Sequence, residues 1–475
     1  MSAGDPGATA AAIQWLFLAY FISVNGGYLV LNLMSLGGIR HYLEARALDA
    51  LPHPASRHEP PVSIVVPASN RQMHIVAAVR SLLQLGYPQL EVIVVNDGST
   101  DDTLAVLRQE FSLGLFPEAY WRRLPVAHVR GIYRSTTFPN LRVIDKEKGG
   151  RADALNAGIN AARYPLVCTA DPGCVLRKDS LRRLVQPLLE DPDSVAAGST
   201  IRIANGCTTS GHTLTAVGLP GSLLALMQIV EYLRAFQFSR LGWAAINAAL
   251  TVSGAFDVYR KETVVEAGGF RSGTRDEHME LVARLQRTHR PAGKPCRVVA
   301  VPDPVCWMPA PESLGALRNQ RIRWQRGLCE SLWMNRRLLF HRRGGAPGWA
   351  SFPFLLAFEV LGPLLEVLAY VLLIAAFALG LVSWQTFVVL IAVAIGFGIL
   401  LSVSALFLEE MSFQLYRRPS HVLRLLVAAV IENFGYRQLV ALWRTAGLIR
   451  WLRGGTDGGR RSSGGETRTS HRAKQ

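Results

Sequence analysis

Several short stretches of the chain carry residue types and spacings suited to chemistry. Asp97 ends an apolar run and is followed by Gly98 and Ser99. A carboxylate there can accept an imide N–H or a ribose hydroxyl; the same Asp-Gly-Ser-Thr run also suits a turn or a helix N-cap. Lys148-Gly-Gly-Arg151 offers two cations and exposed backbone N–H groups ahead of a helix, which suits a diphosphate. A solvated basic turn has the same composition. Asp171 closes another apolar run. In GTRDEHMEL (273–281), Glu277 and His278 stand together, and an imidazole with an ordinary pKa of about 6.5 can serve as a base. Asp276 is adjacent but points elsewhere if the segment is helical. Gln320, Arg323 and Trp324, in QRIRW, share one face of a helix by i,i+3 and i,i+4 spacing. Trp can stack on the apolar face of a sugar, while Gln and Arg can reach diphosphate oxygens. Gly254, in VSGAF, lets backbone approach a ligand closely.

These groups need a scaffold that brings them together. VSIVVPAS, EVIVVNDGS, LRVID and PLVCTADPG are short Val/Ile-rich runs, and helical stretches separate them. Such alternation predicts an α/β fold with a doubly wound, mostly parallel sheet covered on both faces. Ligands of such sheets bind beyond the carboxyl ends of strands, where Asn70, Asp97 and Asp171 fall.

The chain has 475 residues, 49 % hydrophobic and only 18 % charged, with a formal net charge of +16. A charge content below the ~25 % of soluble domains, with a mean hydropathy of +0.20, excludes a disordered chain and argues against a fully soluble one. Residues 1–39 and 344–416 contain no Lys or Arg. Apolar blocks with basic edges point to a lipid bilayer, with the basic side cytoplasmic, rather than to nucleic acid. We expect spans at 11–34, 356–379 and 384–407, a cytoplasmic C-terminal tail, and a bacterial-type inner membrane as the location. Glu359 and Glu366 fall on one face of the second span and are expected to line a path or meet another helix. Residues 222–250 read as an amphipathic helix at the membrane surface. Glu432 and Arg437 make 425–443 an interfacial or re-entrant helix. The implied domains are an anchor (1–49), a linker (50–61), a cytoplasmic catalytic domain (62–343), membrane and interfacial helices (344–445) and a basic disordered tail (446–475). The six Cys form no CxxC pair, which suits reduced thiols and no metal.

The order VVPASN, VVNDGSTDDT, KGGRADALNAG, CTADPG, VSGAF, QRIRW, set between membrane blocks, resembles the family 2 glycosyltransferases. Within them it resembles the membrane-embedded processive β-glycan synthases that make cellulose, hyaluronan and poly-N-acetylglucosamine. The resemblance implies a GT-A-like domain inserted between transmembrane helices and inverting transfer from a UDP-sugar to a growing glycan or lipid-linked acceptor. It implies a donor pocket of Pro67, Asn70, Asp97, Lys148, Arg151 and Asp171. It places Gly254, Gln320, Arg323 and Trp324 at the acceptor and diphosphate, with His278, Glu277 and Asp171 as catalytic groups.

It also implies Mg²⁺ or Mn²⁺, held by a D-x-D pair. Here that triplet is Asp171-Pro172-Gly173, and His278 stands where the family's basic Asp would be. Lys is usual where Arg151 stands, and Arg71 replaces a common Glu. These departures leave two expectations: an active transferase using His278 as base, or a membrane scaffold that binds a nucleotide or a partner synthase.

Overall fold

The computed structural model describes residues 6–49, 59–211, 213–416 and 418–454. Four buried apolar runs form the parallel centre of its sheet: β1 (Val62–Ala68), β2 (Leu90–Asp97), β5 (Leu141–Lys146) and β6 (Leu166–Ala170). They lie in the order β5-β2-β1-β6, each parallel to its neighbour. Their Val/Ile content follows from cover on both faces. Ile64 and Val66 point to one core with Val79 and Leu184, and Val65 points to a second with Leu155 and Leu285.

The sheet turns mixed away from that centre. On one side β3 (Leu113–Leu115) and β4 (Val129–Ser135) add antiparallel pairs. On the other, β11 (Phe256–Arg260) runs antiparallel between β6 and β8 (Ser194–Ile203), and β12 (Arg297–Met308) runs parallel to β8. Short β7 (Val175–Leu176), β9 (Thr208–Ser210) and β10 (Thr213–Ala216) complete the edge. The chain winds from β1 to β2 and β5, then returns to place β6 on the far side of β1. The switch point therefore opens between the carboxyl ends of β1 and β6, where a ligand crevice forms in such sheets.

Among the described residues two helices have the length and hydropathy to cross a membrane, at Gln14–Arg40 and Trp384–Ser412. The first is part of a 44-residue helix, Pro6–Asp49. Phe17, Phe21, Leu373, Leu390 and Ala394 join these helices to Gly362–Ala378. The span expected at 356–379 is not straight. Pro347–Val360 and Gly362–Ala378 meet at 43°, after a π-helical stretch, with Pro363 in the first turn beyond the break. The 425–443 segment, expected to be interfacial or re-entrant, is also broken: Pro419–Ile431 and Tyr436–Leu452 meet at 58°, around Gly435 at φ 102°. Its last helix continues to Leu452, so the boundary drawn at 446 falls inside a helix; 455–475 and most of the linker lie outside the described residues.

The 222–250 segment departs from an ordinary surface helix. It breaks into Leu223–Glu231, a π-helical turn and Ser239–Ala245. Leu226, Ile229 and Phe238 pack against Ala405, Leu406 and Ala428. Its charges turn inward: Glu231 pairs with Arg321 (2.6 Å) and Arg234 with Glu432 (3.6 Å). Partners on other elements accommodate charges that looked suited only to water.

Candidate active site

The end of β2 holds a buried knot. The β2–β5 register sets Asp97 directly opposite Lys146. The Lys146 ammonium, fully buried, donates to Asp97 Oδ1 (2.9 Å) and pairs with Asp153 Oδ1 (2.6 Å). The Asp97 carboxylate also accepts from the backbone N–H groups of Gly149 (2.7 Å) and Gly150 (2.9 Å). This corrects two expectations. Asp97 is not on the cavity wall, and the Gly149 and Gly150 N–H groups point inward to it. Lys146 and Asp153 were not anticipated, although a lysine at the end of the apolar run LRVID was a visible signal.

Beside the knot lies a cavity of about 2090 Å³. Asn70, Lys148, Arg151, Asp171, Gly173, Gly254, Glu277, His278, Gln320, Arg323 and Trp324 all line it. Pro67 does not; it sits in β1 opposite Val95. Asn70 takes a left-handed φ of 54°, and its side-chain oxygen accepts from the Thr100 N–H (2.8 Å), fastening the loop after β1 to the turn after β2.

Arg151 opens the helix Arg151–Ala161 and reaches three elements. Its Nη1 donates to Asp171 Oδ2 (3.1 Å), its Nη2 to the Gly254 carbonyl (2.7 Å), and its Nε lies 2.8 Å from Glu277 Oε1. Asp171 Oδ1 accepts from the Gly173 N–H (2.8 Å). Gly254 can present its carbonyl because its φ is 76° and Asp257, fully buried, accepts from its N–H (2.6 Å). A Cβ at Gly254 would also touch the His278 ring at 3.5 Å. Gly254→Ala should therefore cost about 1–3 kcal/mol of stability and lower activity by moving the Arg151 acceptor. Thermal unfolding with initial rates will test this, and unchanged values in both would refute it.

Asp276 is the N-cap of the helix Glu277–Thr288, its carboxylate accepting from the Met279 N–H (2.9 Å). His278 follows, 3 % exposed, with Nδ1 2.9 Å from the Tyr259 hydroxyl and 3.8 Å from Asp257 Oδ2. Its Nε2 has no hydrogen-bond partner among the described residues and lies 4.0 Å from Glu277 Oε1. Burial, and then the Arg151 cation, hold the imidazole well below its ordinary pKa, so it is neutral. Burial raises Glu277 against the pull of Arg151, and burial raises Asp276. Asp257 and Tyr259, which orient this cluster, were missed; a charge inside the apolar strand FDVYR could have drawn notice.

The helix Leu314–Met334 carries the other wall. Arg321 is buried against Glu231 and its guanidinium lies 4.5 Å from the Trp324 ring centre. Trp324 remains 36 % exposed at the cavity. Beyond it the cavity continues among helices, past Tyr20, Phe21, Tyr28, Phe358, Glu359 and Glu366. Glu359 pairs with Arg444 and accepts from the Tyr28 hydroxyl. Despite the bend between them, both glutamates line the cavity.

A sheet with its switch point at this crevice, set against helices apolar enough to span a membrane, defines a GT-A-like glycosyltransferase fold with a membrane part. Residues 63–262 match the family described as Glycosyl transferase family 2, and residues 171–399 match Glycosyl transferase family group 2. The chain thus carries family 2 glycosyltransferase domains over residues 63–399. It is similar to the poly-beta-1,6-N-acetyl-D-glucosamine synthase of Staphylococcus aureus (strain COL), 26 % identical over 272 residues, 57 % of this chain and 55 % of the relative. The synthase of the same name from Staphylococcus epidermidis is 24 % identical over an equal length. The match thus spans about half the length of these relatives. In fold the chain is similar to the mannosyltransferase PcManGT from Pyrobaculum calidifontis, solved with GDP-Man and Mn²⁺, with a TM-score of 0.54 and 18 % identity over 90 % of this chain and 99 % of that one.

Proposed function

We propose that the chain is a multi-pass membrane enzyme that transfers a sugar, with inversion, from a UDP-sugar to a growing glycan or lipid-linked acceptor. The observation that carries this reading is the continuity of the cavity. It runs from the charged ends of β1 and β6, past Trp324, to residues of the helix bundle. A donor at the cytoplasmic end and an acceptor reaching into the bundle would meet between them.

In this reading Lys148, Arg151 and Arg323 face the diphosphate, and Trp324 stacks on the acceptor sugar. The acceptor hydroxyl oxygen attacks the anomeric carbon. The bond from that carbon to the β-phosphate oxygen breaks, and UDP leaves with the electron pair. The hydroxyl proton passes to His278 Nε2. The imidazolium so formed has Glu277 at 4.0 Å and Asp257 at 3.8 Å to stabilise it. A bound diphosphate would offset Arg151, one of the two causes of the low His278 pKa, and so raise proton affinity when it is needed.

The test is UDP release by the full chain in lipid nanodiscs, with a panel of UDP-sugars and acceptor oligosaccharides. Release with one donor, coupled to acceptor extension, is expected. Absence of release with every donor, with and without Mg²⁺ or Mn²⁺, would overturn the enzyme reading in favour of a scaffold for a partner membrane protein.

A further inference from the structure

The switch-point crevice does not suit a divalent cation. Mg²⁺ asks for a near-octahedral oxygen shell, with one or two protein carboxylates and the rest from water and phosphate. Two carboxylates on the crevice wall, Asp171 and Glu277, are both already held by one guanidinium. Asp171 has its other oxygen on the Gly173 N–H. At Gly173, where a second carboxylate would stand, a Cβ would come 3.3 Å from Asp171 Oδ1. Among the described residues no three His, Cys, Asp or Glu side chains are grouped to hold a metal ion.

The placement of Arg151 needs an explanation of its own. A cation in the first turn of a helix opposes the helix dipole. Arg151 nevertheless sits there, held from three sides by a strand-end carboxylate, a carboxylate at a helix start and a turn carbonyl. A guanidinium has five N–H groups in a planar fork. The three contacts point Nε, Nη1 and Nη2 at different elements and leave a second N–H on each Nη. The neighbouring Gly149 and Gly150 N–H groups are committed to Asp97. Side-chain cations offer an anion its positive charge instead, Arg151, Lys148 and Arg323 among those that line the same cavity.

We propose that the Arg151 guanidinium takes the electrostatic role of the divalent cation, so that this chain binds a nucleoside diphosphate and transfers sugar without a metal. The inference rests on the transferase reading and specifies its leaving-group chemistry. As the anomeric carbon–oxygen bond breaks, the electron pair stays on the β-phosphate oxygen, and the fixed cation meets that charge. Arg suits this better than Lys, because its fork can hold Asp171 and Glu277 while still offering N–H groups to phosphate.

The test is calorimetric binding of UDP to the full chain in nanodiscs, in EDTA and in Mn²⁺, with Mn²⁺ uptake followed by electron paramagnetic resonance. The expected UDP affinity in EDTA is within about threefold of that in Mn²⁺, with no nucleotide-dependent Mn²⁺ signal. Arg151→Met should weaken UDP binding by roughly tenfold or more. Arg151→Lys keeps the charge if the Met variant does not fold, and it should still bind more weakly than the native chain. UDP binding that requires Mn²⁺, or native affinity in Arg151→Lys under EDTA, would overturn the proposal and leave the transferase reading standing. No UDP binding in any condition would overturn both.

Discussion

Replacing His278 with Ala is expected to lower transfer by roughly 10²- to 10⁴-fold, the range for loss of a positioned general base. The geometry supports a specific loss. Nδ1 is engaged by the Tyr259 hydroxyl at 2.9 Å, while Nε2 has no hydrogen-bond partner among the described residues and belongs to a ring on the cavity wall. The pH profile adds a second reading. A base must be neutral to accept a proton, so protonation at low pH removes it. Burial and Arg151 move that protonation well below the ordinary histidine value. Activity should therefore persist as pH falls through about 6.5 and decline only at lower pH. The acidic limb should vanish in His278→Ala, with UDP binding retained. If His278→Ala transfers sugar at the native rate, His278 is not the base, and Glu277, lifted by burial, becomes the group to test with Glu277→Gln.

The second large effect is on stability. Lys146→Met should destabilise the chain by about 3–5 kcal/mol, the cost of breaking a buried ion pair from one side. The substitution strands two carboxylates, Asp97 and Asp153, which share the fully buried ammonium. It also loosens the turn whose Gly149 and Gly150 N–H groups the Asp97 carboxylate holds. Thermal unfolding in detergent, followed by tryptophan fluorescence, would measure the loss. Adding Asp97→Asn should recover part of it, because the double variant buries one less unpaired charge, and groups in one network are not additive. Native-like melting of Lys146→Met would show that the knot contributes nothing to folding.

The sequence makes some levels of this structure readable and hides others. The central strands were legible because burial on both faces demands continuous Val and Ile, as in VSIVV and VIVV. The crevice residues were legible because sheet topology puts strand ends together, and Asn70 and Asp171 lie just beyond the ends of β1 and β6. Helix periodicity placed Gln320, Arg323 and Trp324 together, and they share the cavity. The inward turn of Asp97 was not legible. It depends on the β2–β5 register, which puts Lys146 opposite it, and register follows from pairing rather than composition. The ion pairs of Arg151 were not legible either, because its two carboxylate partners arrive from 20 and 126 residues further along the chain. The partners of the inward charges of 222–250 were hidden for the same reason, since Arg321 and Glu432 lie far off in sequence.

The Lys146 knot also bears on how such a chain could acquire or be given a new donor. A carboxylate consumed inside the protein cannot be exchanged to favour another nucleobase, since each exchange first damages the fold. Adaptation must act on the rim instead, at Arg71, Met73 and His74, which line the cavity outside the buried strands. A library restricted to that rim would separate retuning of the ligand from maintenance of the scaffold. The division is already built in: the β2 end is frozen, and the loop that follows β1 is open to variation.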